Sequence, residues 1–134
     1  GFEDALVDFI HYPAKAARPY VVAANPELVN RIAGDDMMRG CTIAANGFYG
    51  PQGRVLRCDL AVKDINERIT DFRYEGQRIT NYEMEGSAIA GLSLLMGHKA
   101  MTVCCVIAQR KVEAANTDYK PRIKQLVQTV LERI

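Results

Sequence analysis

Apolar side chains recur along the chain in short blocks whose spacing predicts alternating helices and strands. Asn25, Pro26 and Glu27 supply an N-cap, a first-turn proline and an acidic residue, which together predict a helix through about Ala33. The apolar run at residues 41–45 is typical of a short buried strand that leads into a glycine-rich loop. Apolar residues at helical spacing over 65–72 predict a further helix after residue 64.

The second half of the chain continues the same alternation. A brief strand is predicted at residues 79–82 and a small-residue helix at 84–96, which Gly97 would end. The nearly continuous apolar run at 100–108 predicts a strand inside a sheet covered on both faces. Residues 116–118 would cap a last helix, whose apolar stripe is expected to dock on the sheet. This order predicts an α/β fold with a mixed central sheet flanked by helices.

Length and composition fit one globular unit comprising residues 1–134. Hydrophobic residues make up 49% of the chain, and 17 Lys and Arg nearly balance 16 Asp and Glu, so charge gives no reason to expect a nucleic-acid partner. No apolar run approaches the roughly 20 residues of a membrane span, and a basic-then-apolar secretory signal is not evident. A cytoplasmic location and no membrane association are therefore expected.

The cysteines and histidines do not show the spacing of a metal site. Cys41, Cys58, Cys104 and Cys105 contain no CxxC pair, and the vicinal pair falls in the apolar run at 100–108. Reduced thiols are the favoured interpretation, with two disulfides or a zinc site as the alternatives. His11 and His98 lie at neither helical nor hairpin spacing from another ligand, so no metal is expected.

The segment Asn81–Ser87 has residues suited to binding a sugar. Glu83 and Glu85 flank Met84 between a predicted strand and a predicted helix. An ionised carboxylate only accepts hydrogen bonds, which suits two neighbouring ribose hydroxyls, and a thioether can lie against the apolar edge of the sugar. The alternative is a solvated first helical turn, in which acidic residues are favoured by the helix dipole.

The segment Gly47–Arg54 has residues suited to binding a pyrimidine. Phe48 offers a stacking face, Gln52 offers a donor and an acceptor for an imide edge, and Arg54 is a permanent cation for a carbonyl oxygen. The alternative is an ordinary Gly/Pro turn with an exposed arginine.

These two motifs, in this order and about thirty residues apart, resemble the base loop and ribose segment of uridine phosphorylases in the nucleoside phosphorylase family. The run Val106–Arg110 is similar to the strand that closes the base pocket of that family. The resemblance covers essentially the whole chain but only the C-terminal half of such an enzyme. It therefore implies a nucleoside phosphorylase-like α/β fold that is incomplete here, with the phosphate-binding part outside this chain. The chain is expected to be a fragment, a processed product or one piece of a nicked protein.

The resemblance implies reversible phosphorolysis of uridine to uracil and ribose 1-phosphate, with phosphate as co-substrate and no organic cofactor. It implies catalytic roles for Arg54 and Glu85, uracil contacts from Phe48, Gln52, Arg54 and Ile107, ribose contacts from Tyr82, Glu83, Met84 and Glu85, and support from Arg110. A homo-oligomer, either a dimer or a trimer of dimers, is implied as well.

The expected base specificity rests on a sequence difference between this chain and the purine-selecting and nucleosidase members of the superfamily. Purine-selecting and nucleosidase members usually carry a Ser-Asp pair where this chain has Ile107 and Ala108. An apolar residue cannot supply the proton that a departing purine needs, which favours a pyrimidine. Two alternatives stay open, namely a nucleosidase that hydrolyses its nucleoside and a non-catalytic nucleoside-binding or assembly fragment.

Overall fold

The computed structural model describes residues 1–109, 114–115 and 117–134. Their helices are α1 (Phe2–Ile10), α2 (Pro26–Ile32), α3 (Ile65–Asp71), α4 (Gly86–Leu95) and α5 (Lys120–Arg133). Their strands are β1 (Cys41–Ala44), β2 (Arg73–Tyr74), β3 (Gln77–Glu83), β4 (Ala108–Gln109) and β5 (Ala114–Ala115), and a single 3₁₀ turn spans Gly50–Gln52.

Three of the strands form a mixed sheet in the order β1-β3-β2. β1 pairs with β3 in parallel and β2 pairs with β3 in antiparallel, whereas β4 and β5 form a separate antiparallel ribbon. The predicted α/β fold with a mixed sheet is therefore confirmed. β2 and β3 are joined by Glu75 and Gly76, with φ of 48° and 78°. Positive φ at both positions of a two-residue loop gives the turn whose twist matches a hairpin.

The hydrophobic core lies between the sheet and the two helices α1 and α3. Leu6 and Ile10 from α1 meet Ile69 of α3 and Phe72, which follows α3 and is only 1% exposed. Ile43 of β1 and Ile79 and Tyr82 of β3 pack against this cluster. The core therefore fixes β3, which contains Tyr82 and Glu83, relative to α3. Helix α1, which contributes half of the buried cluster, was not among the predicted elements.

Local sequence signals predicted several element boundaries correctly. The Asn25 side chain accepts a hydrogen bond from the backbone N–H of Leu28 at 3.2 Å, so α2 begins as its N-cap signal indicated. Gly97 ends α4 with φ of 73°, and the His98 N–H donates back to the Ser93 carbonyl at 2.7 Å. The strands predicted at 41–45 and 79–82 and the helix predicted after residue 64 are also present.

The predicted strand at residues 100–108 is wrong for most of its length. Residues 101–107 belong to no strand, and β4 begins only at Ala108, with Val106 and Ile107 exposed. A continuous apolar run has no period, so it indicates burial without specifying a ladder partner. The β2–β3 hairpin pairs on one side of β3, and the segment instead meets the start of α2, where the Asn25 N–H donates to the Ala100 carbonyl at 2.8 Å.

The last helix begins after its predicted cap and docks elsewhere than predicted. α5 has Tyr119 as its N-cap residue, and its most extensive contacts among the described elements are with α2. Arg133 explains this docking, because its guanidinium donates to the Ile32 carbonyl at 2.9 Å and pairs with Asp36 at 2.9 Å. The predicted cap residue Asn116 lies outside the described residues.

Helix α4 is apolar on several sides and remains partly uncovered. Its exposed large apolar side chains are Ile89, Leu92, Leu94 and Leu95, followed by Met96. A helix that is hydrophobic all round is ordinarily enclosed by other elements. No helix within the described ranges is both long and apolar enough to cross a membrane.

Candidate functional site

The two sequence motifs leave the sheet side by side. β1 and β3 are parallel, and their last paired residues, Ala44 and Glu83, are in register. One further hydrogen bond, from the Ala45 N–H to the Glu83 carbonyl at 2.8 Å, continues the pairing. Ligands of α/β proteins commonly bind outside the carboxyl ends of parallel strands. We call the segment Gly47–Arg54 the base loop and the segment Tyr82–Glu85 the ribose segment. Both therefore lie at the same carboxyl end of the parallel strand pair.

The base loop is held by its own backbone. The N–H groups of Gln52 and Arg54 both donate to the Tyr49 carbonyl at 3.0 Å, and the Gly53 N–H donates to the Gly50 carbonyl at 2.9 Å. Gly53 has φ of 72°, a left-handed conformation that glycine adopts without steric cost. This tight turn directs the side chains on either side of Gly53 into one small region.

The structure brings the three predicted uracil residues of this loop together. The Arg54 guanidinium lies 3.8 Å from the centroid of the Phe48 ring, and its Nη1 donates to Gln52 Oε1 at 3.0 Å and to the Phe48 carbonyl. Gln52 is only 4% exposed, whereas the Phe48 ring is about half exposed. The loop thus combines an accessible π-face, a buried amide and a fixed cation.

This arrangement has a direct consequence for stacking. The guanidinium covers one face of Phe48, and Tyr49 meets the same ring edge-on with centroids 5.3 Å apart. A planar base that stacks on Phe48 must take the open face or displace the guanidinium. On the open face the Phe48 ring would separate the base from the guanidinium, so Arg54 can meet a carbonyl of the base only by moving off the ring face. A surface pocket of about 780 Å³, open to solvent, adjoins this loop; it is lined mainly by residues 54–60, with Tyr49 also in its wall.

The ribose segment is organised by the Glu83 carboxylate. Glu83 Oε2 accepts hydrogen bonds from the N–H groups of Glu85, at 2.8 Å, and of Gly86. These N–H groups belong to the start of α4, where a carboxylate is favoured by both orphan donors and the helix dipole. A Cβ at Gly86 would lie 2.8 Å from Thr102 Oγ1 and 3.0 Å from Glu83 Oε1, so the close approach requires glycine.

The four predicted ribose residues fall into two pairs by accessibility. Tyr82 and Glu83 are half-buried and engaged inside the protein, Tyr82 through a 3.1 Å hydrogen bond to Asn66 Oδ1 and Glu83 through its helix contacts. Met84 and Glu85 are exposed beside them. The outer pair is therefore available to a ligand, and the inner pair holds it in place.

Of the two residues expected from the strand that closes the base pocket, the structure describes only Ile107. Ile107 lies just before β4 and is 41% exposed. Arg110, expected to support Arg54 and Gln52, lies outside the described residues.

The four thiols are unpaired, as the spacing indicated. Partial burial raises the pKa of the Cys41 and Cys104 thiols above the ordinary value. Across residues 1–109, 114–115 and 117–134, no three His, Cys, Asp or Glu side chains are grouped as a metal site would require.

Asn66 is the residue of this region that the sequence reasoning missed. It lies on α3, and besides accepting from Tyr82 it donates from Nδ2 to the Gly53 carbonyl at 3.4 Å. No motif marks it, because its two partners are 13 residues before it and 16 residues after it.

Comparisons with known proteins identify the family of this chain. A family model described as the phosphorylase superfamily matches residues 3–133. Uridine phosphorylase A of Schistosoma mansoni is 41% identical over 73 residues, a region that covers 53% of this chain and 24% of that protein. The matched region therefore spans about a quarter of the length of this relative. No solved structure gives a significant match.

Proposed function

The chain belongs to the phosphorylase superfamily, and on that premise we propose that it is the base- and ribose-binding part of an enzyme that cleaves uridine with phosphate. The observation that carries the proposal is the cluster of Phe48, Gln52 and Arg54. It lies at the carboxyl end of the parallel strand pair, where the ribose segment also lies. The partial identity to a uridine phosphorylase supports uridine as the substrate.

The proposed reaction exchanges one bond at the anomeric carbon of the sugar. A phosphate oxygen forms a bond to C1′ as the C1′–N1 bond breaks, giving ribose 1-phosphate and a uracil anion. Positive charge develops on the sugar and negative charge on the base, so positioned charges and donors supply most of the catalysis. Phosphate is the co-substrate, and no organic cofactor or metal has a part in this scheme.

The base loop would bind and stabilise uracil. Phe48 stacks on the ring, Gln52 selects its hydrogen-bonding edge, and Arg54 stabilises the negative charge that develops on the leaving base. The Gln52–Arg54 hydrogen bond supports this division, because it places the guanidinium and the amide side by side in the base loop. Ile107 would contact the apolar side of the base, and Arg110 would support Arg54 and Gln52.

The ribose segment would bind the sugar through its exposed pair. Glu85 accepts hydrogen bonds from the 2′ and 3′ hydroxyls, and Met84 packs against the apolar edge of the ring. Tyr82 and Glu83 form the wall behind them, and the contacts of Glu83 with the start of α4 support its role in orienting Glu85.

The remaining parts of the proposal concern the larger protein. We propose that this chain is the C-terminal part of a single nucleoside phosphorylase-like domain whose phosphate site lies in other polypeptide. We also propose that the active protein is a cytoplasmic homo-oligomer, a dimer or a trimer of dimers. The exposed apolar side chains of α4 support this proposal, because an exposed apolar surface of this kind is often covered by another part of the protein or by another subunit.

Substitution of Glu85 tests the ribose assignment. We expect Glu85→Gln to raise the dissociation constant for uridine about 10- to 100-fold, because hydrogen bonds to a charged acceptor contribute more than those to an amide. The increase should be smaller for 2′-deoxyuridine, which lacks one of the two hydroxyls. Calorimetric titration of the intact protein with both nucleosides measures both values.

Glu67→Gln is the matched control for this test. Glu67 is an exposed acid in the first turn of α3, so its substitution should leave both dissociation constants unchanged. An equal change for the two nucleosides in Glu85→Gln, or no change for either, would remove Glu85 from the ribose site.

A further inference from the structure

Asn66 connects the base loop to the ribose segment through side-chain hydrogen bonds. Its Oδ1 accepts from the Tyr82 hydroxyl at 3.1 Å, and its Nδ2 donates to the Gly53 carbonyl at 3.4 Å. Gly53 lies between Gln52 and Arg54, and Tyr82 immediately precedes Glu83. One amide thus contacts both motifs that the proposed reaction requires.

The bridge rests on a rigid part of the molecule. Asn66 lies on α3, one turn before Ile69, and Ile69 and Phe72 belong to the buried core cluster. Tyr82 packs against the same cluster with its ring. Both Asn66 and its hydroxyl partner are therefore anchored, and the base loop is the element that this bridge positions.

The contact with the base loop is close as well as hydrogen-bonded. A Cβ at Gly53 would lie 2.4 Å from Asn66 Nδ2, so the loop approaches the amide as nearly as a backbone without a side chain allows. The chemistry also requires an amide at this position. An aspartate has the same shape and still accepts from Tyr82, but it cannot donate to the Gly53 carbonyl.

We propose that Asn66 is a positioning residue that sets the distance between the base site and the ribose site. This inference rests on the proposed function, because the distance matters only to a ligand that occupies both sites. Uracil alone contacts only the base loop, so its binding does not depend on the distance between that loop and the ribose segment. Uridine needs the base loop and the ribose segment at one fixed separation, so its binding depends on the bridge.

Two nearly isosteric substitutions and a control test this role. We expect Asn66→Asp and Tyr82→Phe to weaken uridine binding by the intact protein about tenfold or more, and uracil binding by less than about twofold. Asn30→Asp makes the same chemical change at an exposed site on α2 and should alter neither ligand. Calorimetric titrations with uridine and with uracil give both constants, and circular dichroism melting checks that each variant is folded.

The outcomes separate this proposal from the one on which it rests. If the unsubstituted protein binds neither uridine nor uracil, the proposed function fails, and the role of Asn66 fails with it. If it binds both and Asn66→Asp weakens both equally, Asn66 has a general structural role and the positioning proposal is overturned. A loss confined to uridine in both variants supports the bridge.

Coupling between the two halves of the bridge provides a second readout. If Asn66 and Tyr82 act through each other, the double variant Asn66→Asp/Tyr82→Phe should lose little more uridine affinity than the more damaging single variant. Losses that multiply would show that the two side chains act independently, and this would contradict the bridge.

Discussion

Replacing Arg54 with alanine should lower the rate of uridine phosphorolysis by about 10²- to 10³-fold, the loss expected when one donor to a developing anion is removed. The guanidinium lies against Phe48 and Gln52 in the same turn, so a shift off the Phe48 ring face within the base loop would bring it to the charge on the leaving base. The effect should appear mainly in kcat, because the charge is fully developed only as the C1′–N1 bond breaks.

Two further variants make the Arg54 result interpretable. Arg54→Lys keeps the charge but loses the planar fork that reaches Gln52, so its rate should fall between those of the alanine variant and the unsubstituted protein. Arg122→Ala removes an exposed arginine of α5 and should leave the rate unchanged. Steady-state rates with uridine and phosphate are measured for all three variants and for the unsubstituted protein. An Arg54→Ala protein with full activity would contradict the proposed mechanism.

Replacing Phe72 with alanine should reduce the free energy of unfolding by about 3–5 kcal/mol. The side chain is 1% exposed, and its ring meets Phe2 and Phe9 edge-on with centroids 5.3 Å and 5.6 Å apart. Truncation leaves a cavity where α1, α3 and the sheet meet. Because Asn66 and Tyr82 are held by this core, the variant should also bind uridine more weakly. This weakening should remain after the affinity is corrected for the fraction of protein that is folded.

Phe9→Ala is the control for the Phe72 prediction. The same kind of ring is removed beside Phe72, but Phe9 is 45% exposed and transfers much less apolar surface out of water on folding. Urea denaturation should show a loss less than half that of Phe72→Ala. Equal losses would mean that the cluster around Phe72 is not the stabilising core.

The sequence predicted features whose determinants lie close together along the chain. The N-cap at Asn25 and the glycine stop at Gly97 are each defined within one helical turn. Phe48, Gln52 and Arg54 lie within one tight turn, so their clustering follows from local backbone geometry. The resemblance to nucleoside phosphorylases was likewise carried by two short segments, and the family match over residues 3–133 confirms it.

Features that depend on distant partners could not be predicted in this way. The apolar run at 100–108 has no period from which to infer a strand partner, and the apolar stripe of α5 does not reveal that Arg133 would pair with Asp36 on the α2 side. The packing of α1 on α3 and the Asn66 bridge join residues far apart in sequence. A single polar residue such as Asn66 leaves no periodic signal, and only the fold identifies its partners.

The measurement that tests the central claim most directly is uracil release from uridine by the intact protein that contains this chain, followed in parallel with and without added phosphate. Release that depends on phosphate, with ribose 1-phosphate formed in equal amount, is the predicted result. Equal release with and without phosphate would identify a hydrolytic nucleosidase, and no release under either condition would indicate a nucleoside-binding or assembly role. Either of these results would contradict the proposed phosphorolysis.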